Sequence, residues 1–274
     1  MKKMKTTKTL IATSVLFLML TVISSCNRVP ITGRKQVSLL PESELTAMSL
    51  VEYNNFLNAN QVVNSGTNSA MVTRVGEKIA RSVEDVLRNS GNADLLEHFD
   101  WEFHLVESPE PNAWCMPGGK VVVYTGILPY TKDEDGLAVV MGHEVAHAVA
   151  RHGNERMSQQ LLASTGFAAL DIAMANKPEQ TRELILLAAG VGVSTGALLP
   201  FSRLQESEAD RLGLIFMTIA GYDPEAAVAF WQRMSVNGSG LPEFLSTHPS
   251  HETRITDIEN EYIPEARTYA NTSN

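Results

Sequence analysis

Cysteine is scarce: Cys26 and Cys115 are the only two in 274 residues. With the first expected to be modified, the second has no partner, so no internal disulfide holds the fold, which must rest on its core and on any metal it binds. Basic residues are also in deficit, 22 against 31 acids. That balance argues against nucleic acid as a partner and against attachment to anionic lipid through a basic surface. No internal repeat is visible, and the length suits one domain with appendages, not two. The apolar run Leu10 to Ile23 is too short to cross a bilayer comfortably as a helix. What is present, 44% hydrophobic and 19% charged residues, excludes disorder and fibre.

Lys2, Lys3, Lys5 and Lys8 precede that run with no acid among them, the pattern of a secretion signal. The run closes on Ile23, Ser24, Ser25 and Cys26, which resembles a bacterial lipobox, where cleavage before the cysteine leaves it free for acylation. Several acyl chains on Cys26 would make a stable membrane anchor, whereas one would bind only marginally. The expected organisation is a leader over residues 1–25, a lipid-anchored tether over 26–43 containing Pro30, Gly33 and Pro41, a folded domain over 44–265, and a polar tail over 266–274. An exported protein on the periplasmic face of a bacterial membrane follows.

Within the domain, Glu44 to Leu57 and Met71 to Leu87 carry apolar residues three and four apart, predicting scaffold helices, the first through Leu45, Met48, Leu50 or Val51, and Phe56. Trp101 to Val106 alternates as a half-buried strand. Asn112 to Met116, then the turn Pro117, Gly118 and Gly119, then Lys120 to Tyr124 predict a hairpin, with Cys115 a small apolar residue inside it. Leu161 to Ala175 and Leu184 to Leu199 read as buried or mobile helix and loop. Further helices are expected over Ser202 to Thr218, from Asp223 and Pro224 to Met234, and from Thr247 to Ser250 onward. The fold class is α+β, mainly helical, with a small antiparallel sheet.

Chemistry is concentrated in the helix that Thr131 or Asp133 would cap. It contains His143, Glu144, Val145, Ala146 and His147, an HExxH. Residues four apart on a helix lie about 40° apart around its axis, so both imidazoles leave one face and can hold one zinc ion. Glu144 lies beside that face, placed to act on water at the metal. His152, five residues past His147, lies about 140° around the axis and points away from the metal face, which assigns it a structural or surface role.

Catalytic zinc takes three protein ligands and leaves one position open. Candidates for the third are Glu206, Glu208, His248 and His251. Glu206 and Asp210 share a helical face and Glu208 points to the opposite side, which favours Glu206 as ligand and Asp210 as acceptor for the free ring N–H of a liganding histidine.

These residues, with Pro30, Thr32, Gly33, Arg34 and Gln36, with Asn112, Ala113, Pro117, Gly118 and Gly119, with Arg151, His152 and Gly153, with Ser202, Arg203 and Ala209, and with Thr247, His248, Pro249 and Arg254, resemble the gluzincin metallopeptidases. That family includes the CAAX prenyl proteases, HtpX and the periplasmic BepA-like and LoiP-like lipoproteins, and the chain looks most like the short LoiP type. The resemblance implies a zincin-type domain with one zinc held by His143, His147 and Glu206. It implies a metalloendopeptidase in which Glu144 assists attack by zinc-bound water, with His248 and Arg254 beside the developing oxyanion. It also implies that the His248 loop can itself cap the zinc, and that the clients are unfolded or misassembled envelope proteins. Substrate is expected to add as a strand along an exposed edge formed by Asn112, Ala113 and Val121, Val122 and Val123. The competing expectation is a lipoprotein chaperone or assembly factor with a capped or structural zinc.

Overall fold

Apolar residues at helical spacing dictate the scaffold seen in the computed structural model, which describes residues 26–174, 179, 198–236, 244, 248 and 253–273. Helix α1 is Glu42–Ala59 and α2 is Thr67–Asn89. On α2, Val75, Ile79, Val83, Val86 and Leu87 enter the core, as their spacing predicts, while Val72 is buried where Met71 was expected and Met71 is only half-buried. On α1 the expected face is met in part, with Leu45 buried and Phe56 half-buried against Tyr53. Leu45 and Tyr53 are buried while Met48, Leu50 and Val51 face outward. The aromatic ring of Tyr53, which packs beneath the sheet and whose hydroxyl bonds His104 Nδ1 at 2.6 Å, decides which face turns in.

The main sheet has three strands, β3 (Glu102–Val106), β4 (Ala113–Met116) and β5 (Lys120–Tyr124), in the spatial order β3-β5-β4. β4 and β5 form the expected antiparallel hairpin, Ala113 opposite Val123, but β3 runs parallel to β5, so the sheet is mixed. This ordering corrects one expectation. Val121, Val122 and Val123 lie on the central strand, fully buried and paired on both sides, and cannot offer an edge to another chain. The outer side of β3 is covered by Gln61 to Val63, through Val63 N–H to Leu105 O at 2.8 Å and Glu107 N–H to Gln61 O at 2.8 Å. Among the described residues the outer side of β4 pairs with no strand.

The sheet has two covered faces. Leu105, Ala113, Val121 and Val123 join the main core against α2 and helix α3 (Glu134–Val149), whereas Val106 and Val122 meet Tyr53, Phe56 and Trp114 under α1. Asp133 caps α3 by accepting from Gly136 N–H at 2.9 Å, and Glu134 and Asp135 lie at its positive end. Every residue from Gly136 to Val149 is buried.

Helix α4 (His152–Met174) follows after a break at Arg151, whose φ is +56°. Leu161 and Leu162, in a run expected to be buried or mobile, are exposed on it. Helix α5 (Leu198–Ile219) crosses α3 at a point where both helices carry glycine. A Cβ on Gly142 would meet Gly213 O at 2.8 Å, and one on Gly213 would meet the Gly142 carbonyl carbon at 2.8 Å. The backbones therefore touch, which brings the acidic residues of α5 within reach of the histidines of α3. Gly142→Ala should part the two helices and cost about 1–3 kcal/mol of stability; a urea melt that matches the unaltered chain would contradict this close packing.

Helix α6 (Ala226–Val236) is followed, beyond the described gap, by the turn Arg254–Asp257, a π-helical turn Ile258–Tyr262 and helix α7 (Ile263–Ser273). Residues 266–274 were expected to be a polar tail. Instead α7 continues from the π-helical turn to Ser273 and buries Ala266. The expected tether folds too. Residues 26–37 form a two-stranded antiparallel sheet, β1 (Cys26–Arg28) and β2 (Lys35–Val37), with Val29 and Gln36 buried. The leader over 1–25, the Gly-rich loop after Val236, His251 and most of the run Leu184 to Leu199 lie outside the described residues.

Candidate metal centre

The tight crossing of α3 and α5 sets four side chains around one point. His143, His147, Glu206 and His248 are all buried, and their nearest ligand atoms lie within 4.8 Å of one another. His143 Nε2 is 3.0 Å from His147 Nε2, 3.3 Å from Glu206 Oε2 and 3.2 Å from His248 Nδ1. His147 Nε2 is 3.4 Å from Glu206 Oε1, and His248 Nδ1 is 3.1 Å from Glu206 Oε2. Nitrogen and oxygen ligands about 2.0–2.1 Å from a tetrahedral zinc are separated by about 3.3 Å, so these spacings are those of a zinc coordination shell.

The hydrogen-bonding partners behind the rings establish that lone pairs, and not N–H groups, face the centre. Asp210 Oδ1 lies 2.9 Å from His143 Nδ1 and accepts its proton, which leaves Nε2 bare. His147 Nδ1 lies 2.8 Å from His152 Nδ1, and His152 Nε2 lies 3.0 Å from Glu208 Oε2. A carboxylate only accepts when ionised, so His152 donates from Nε2 and accepts at Nδ1 from His147, whose Nε2 is then also bare. Two bare imidazole nitrogens and a carboxylate within 3.4 Å, shielded from water, repel one another unless a cation lies between them. The donor set and its chemistry fit zinc.

Electrostatics follow the same geometry. Burial opposes ionisation of Glu206, but the surrounding imidazoles of His143, His147 and His248 outweigh it and hold the carboxyl far below its usual range. Asp210 is likewise held down against burial by the Arg254 charge and by His143. Burial pushes His147 well below its usual value, favouring the neutral ring that a metal requires. Glu144 is raised, chiefly by burial. Its Oε1 makes no hydrogen bond and lies 3.4 Å from His248 Nε2, so a free carboxylate oxygen stands at the rim of the centre.

Three residues differ from their sequence-based reading. His152 does not point away, because the left-handed Arg151 ends α3 and the new helix turns His152 back against His147, fully buried. Arg254 does not stand beside the position of an oxyanion. It is buried behind the ligands, its Nη2 2.7 Å from Asp210 Oδ1 and 3.8 Å from Glu206 Oε2, with its guanidinium stacked 3.3 Å from the Trp231 ring. Glu208, a candidate third ligand that its helical face disfavoured, is instead the partner of His152. Asn112 and Ala113 open β4 at the hairpin, where Asn112 O accepts from Tyr124 N–H at 3.0 Å. Sequence reasoning missed His152 and Arg34; the phase break at Arg151 left no composition signal, since neither glycine nor proline marks it.

The model of peptidase family M48 matches residues 74–262. A mitochondrial metalloendopeptidase OMA1 from Schizosaccharomyces pombe is 41% identical over 198 residues, 71% of this chain and 55% of that protein. The human mitochondrial metalloendopeptidase OMA1 is 34% identical over 252 residues, 86% of this chain and 46% of its own. The beta-barrel assembly-enhancing protease of Escherichia coli is 32% identical over 183 residues, 63% of this chain and 37% of its own. The chain thus spans about half the length of the curated relatives it matches most extensively. No helix among the described residues is long and apolar enough to cross a membrane. With the family match covering more than half the sequence and an HExxH helix facing a distal glutamate, the chain belongs to peptidase family M48.

Proposed function

We propose that this protein is a zinc metalloendopeptidase in which His143, His147 and Glu206 hold the metal and Glu144 is the general base and acid. The observation that carries the reading is the free Oε1 of buried Glu144 beside a convergent ligand set, because a purely structural zinc has no use for an unpaired carboxylate there. Zinc at this position supplies Lewis acidity, polarising a carbonyl and making water ionisable near neutral pH. Glu144 takes the proton of the attacking water and returns it to the leaving amine; its raised pKa brings it closer to the range in which both transfers are effective. Asp210, held by Arg254, keeps His143 in the tautomer that binds metal. Hydrolysis of fluorescence-quenched casein by the full chain in detergent tests the reading. Silence from both the unaltered chain and His248→Ala, with zinc bound, would favour the chaperone or assembly-factor alternative.

His248 favours a latent form of this enzyme. Its Nδ1 stands 3.2 Å from His143 Nε2 and 3.1 Å from Glu206, where a fourth ligand would be, and that position must be open for substrate. The ring is to swing aside before a carbonyl enters. His248→Ala should raise basal casein cleavage severalfold; an unchanged rate, with unchanged metal geometry by X-ray absorption, would remove His248 as a cap.

Substrate is taken to lie along the outer side of β4, from Asn112 and Ala113 to Met116, in an extended conformation. Tyr124 N–H pairs with Asn112 O, so ladder alternation aims the backbone groups of Ala113 and Cys115 away from β5. Proline is tolerated on an edge strand where its missing N–H faced outward. Cys115→Pro should therefore keep zinc and lower kcat/KM by about tenfold or more through lost main-chain pairing; turnover equal to the unaltered chain would rule out this edge.

As clients, unfolded or misassembled envelope proteins suit a reader of backbone shape. Support for them, and for a BepA-like or LoiP-like lipoprotein anchored through acylated Cys26 on the periplasmic face, comes from the lysine-led leader and lipobox, and from likeness to a beta-barrel assembly-enhancing protease. The mitochondrial OMA1 relatives point to the same chemistry in another compartment.

A further inference from the structure

We propose that Arg34, Glu208 and His152 form a positioning chain that fixes the tautomer of His147, so that the N-terminal β1–β2 hairpin sets how tightly the centre holds its metal. This rests on the reading of His147 as a zinc ligand. The chain is continuous and almost wholly buried. Arg34 Nε donates to Glu208 Oε2 at 2.8 Å, and Thr32 Oγ1 donates to Glu208 Oε1 at 2.5 Å. The same Arg34 guanidinium forks onto Glu155 with Nη1 and Nη2, each at 2.8 Å, while Gln205 Nε2 donates to Glu155 Oε2 at 2.7 Å. Arg34 therefore ties α4 to α5 and leaves Glu208 ionised, facing His152 Nε2 at 3.0 Å.

The logic is that of a single shared hydrogen. Two imidazole nitrogens 2.8 Å apart, His147 Nδ1 and His152 Nδ1, can hold only one hydrogen between them when both rings are neutral. Glu208 claims the other hydrogen of His152 at Nε2, so the shared one belongs to His147 Nδ1, and His147 Nε2 presents a lone pair to the centre. Were Glu208 unable to accept, His152 could carry its hydrogen on Nδ1. The shared bond would reverse, and His147 would aim an N–H at Glu206 in place of a lone pair. Thr32 and Arg34 lie in the turn between β1 and β2, where Ile31 and Gly33 take positive φ, and both precede residues 74–262 matched by the family model. A segment outside that match thus reaches the back of a ligand.

The test measures zinc affinity of the full chain in detergent by chelator competition, and the His147 tautomer by the ¹⁵N resonances of its ring. Glu208→Leu, which removes the acceptor, and His152→Phe should each weaken zinc about 10–100-fold, as loss of a ligand's hydrogen-bond partner does, and Arg34→Gln should shift affinity the same way. In Glu208→Leu the ring should lose its uniform Nδ1-protonated signature, whereas Glu208→Gln, whose amide oxygen can still accept from His152, should largely keep it. Ser82→Ala is the structural control: it deletes a buried hydroxyl that bonds Ile79 O and Phe216 O away from the chain, and should leave zinc affinity within twofold. Should His152→Phe fail to fold, Glu208→Leu decides alone. Affinity within twofold of the unaltered chain in Glu208→Leu, or a loss matched by Ser82→Ala, overturns the proposal while leaving the metal site standing. An unaltered chain that binds no zinc overturns the site and the proposal together.

Discussion

Glu144→Gln is expected to lower casein hydrolysis by about 10²–10⁴-fold, the range a positioned general acid–base supplies, while the protein keeps its zinc. The substitution changes little but the ability to take and return a proton. Glu144 lies on the same turn as His143 but contributes no atom to the four-residue cluster, and its Oε1 makes no hydrogen bond, its contact with His248 Nε2 being 3.4 Å long. Replacing a buried carboxyl by an amide removes a desolvation cost and should leave stability equal or slightly higher. Cleavage assays with metal analysis on the same sample check both halves. A variant that retains turnover, or loses it only through losing zinc, would remove Glu144 from the chemistry.

The second large effect concerns the ligands. His147→Ala or Glu206→Ala should abolish stoichiometric zinc binding and reduce hydrolysis to background. Glu206 is the stronger case, because its oxygens lie within 3.4 Å of His143, His147 and His248 and it is the one carboxylate in the four-residue cluster. Binding also stabilises: zinc at a thousandfold above its dissociation constant contributes about 4 kcal/mol. For a domain of this size that is on the order of 10 °C in Tm. Thermal melts with and without a chelator check it; the unaltered chain should fall toward the variants when stripped, and the variants should not respond. Equal melting of stripped and loaded protein would show that the metal is not part of the folded state.

Much of the centre was legible because it obeys helical periodicity. His143 and His147 follow from i,i+4 spacing, and the shared face of Glu206 and Asp210 singled out the distal ligand and its neighbour. In the structure His143 Nε2 lies 3.3 Å from Glu206 Oε2 and His143 Nδ1 lies 2.9 Å from Asp210 Oδ1. What could not be read depends on contacts distant in sequence or on one backbone angle. His152 was misplaced because counting degrees per residue assumes an unbroken helix, and the left-handed Arg151 breaks it without a glycine or proline to mark it. Val121 to Val123 look like any apolar strand; only the parallel arrival of β3 makes theirs the central position. Arg254 is drawn behind the ligands by Asp210 and the face of Trp231, neither of them near it in sequence. The segment Asn27 to Pro41 has the proline, glycine and polar content of a tether, yet Arg34 finds two buried carboxylates on different helices and folds it down.

The central claim is that one zinc, held by His143, His147 and Glu206, makes this chain an endopeptidase. Its most direct test is to strip the full protein of metal, titrate zinc back, and follow cleavage of quenched casein, with His248→Ala beside it. The account predicts no cleavage at zero zinc, a rise that saturates at one equivalent per chain, and a higher plateau in His248→Ala. Cleavage that persists without metal, or none at any zinc level in either protein, would contradict it.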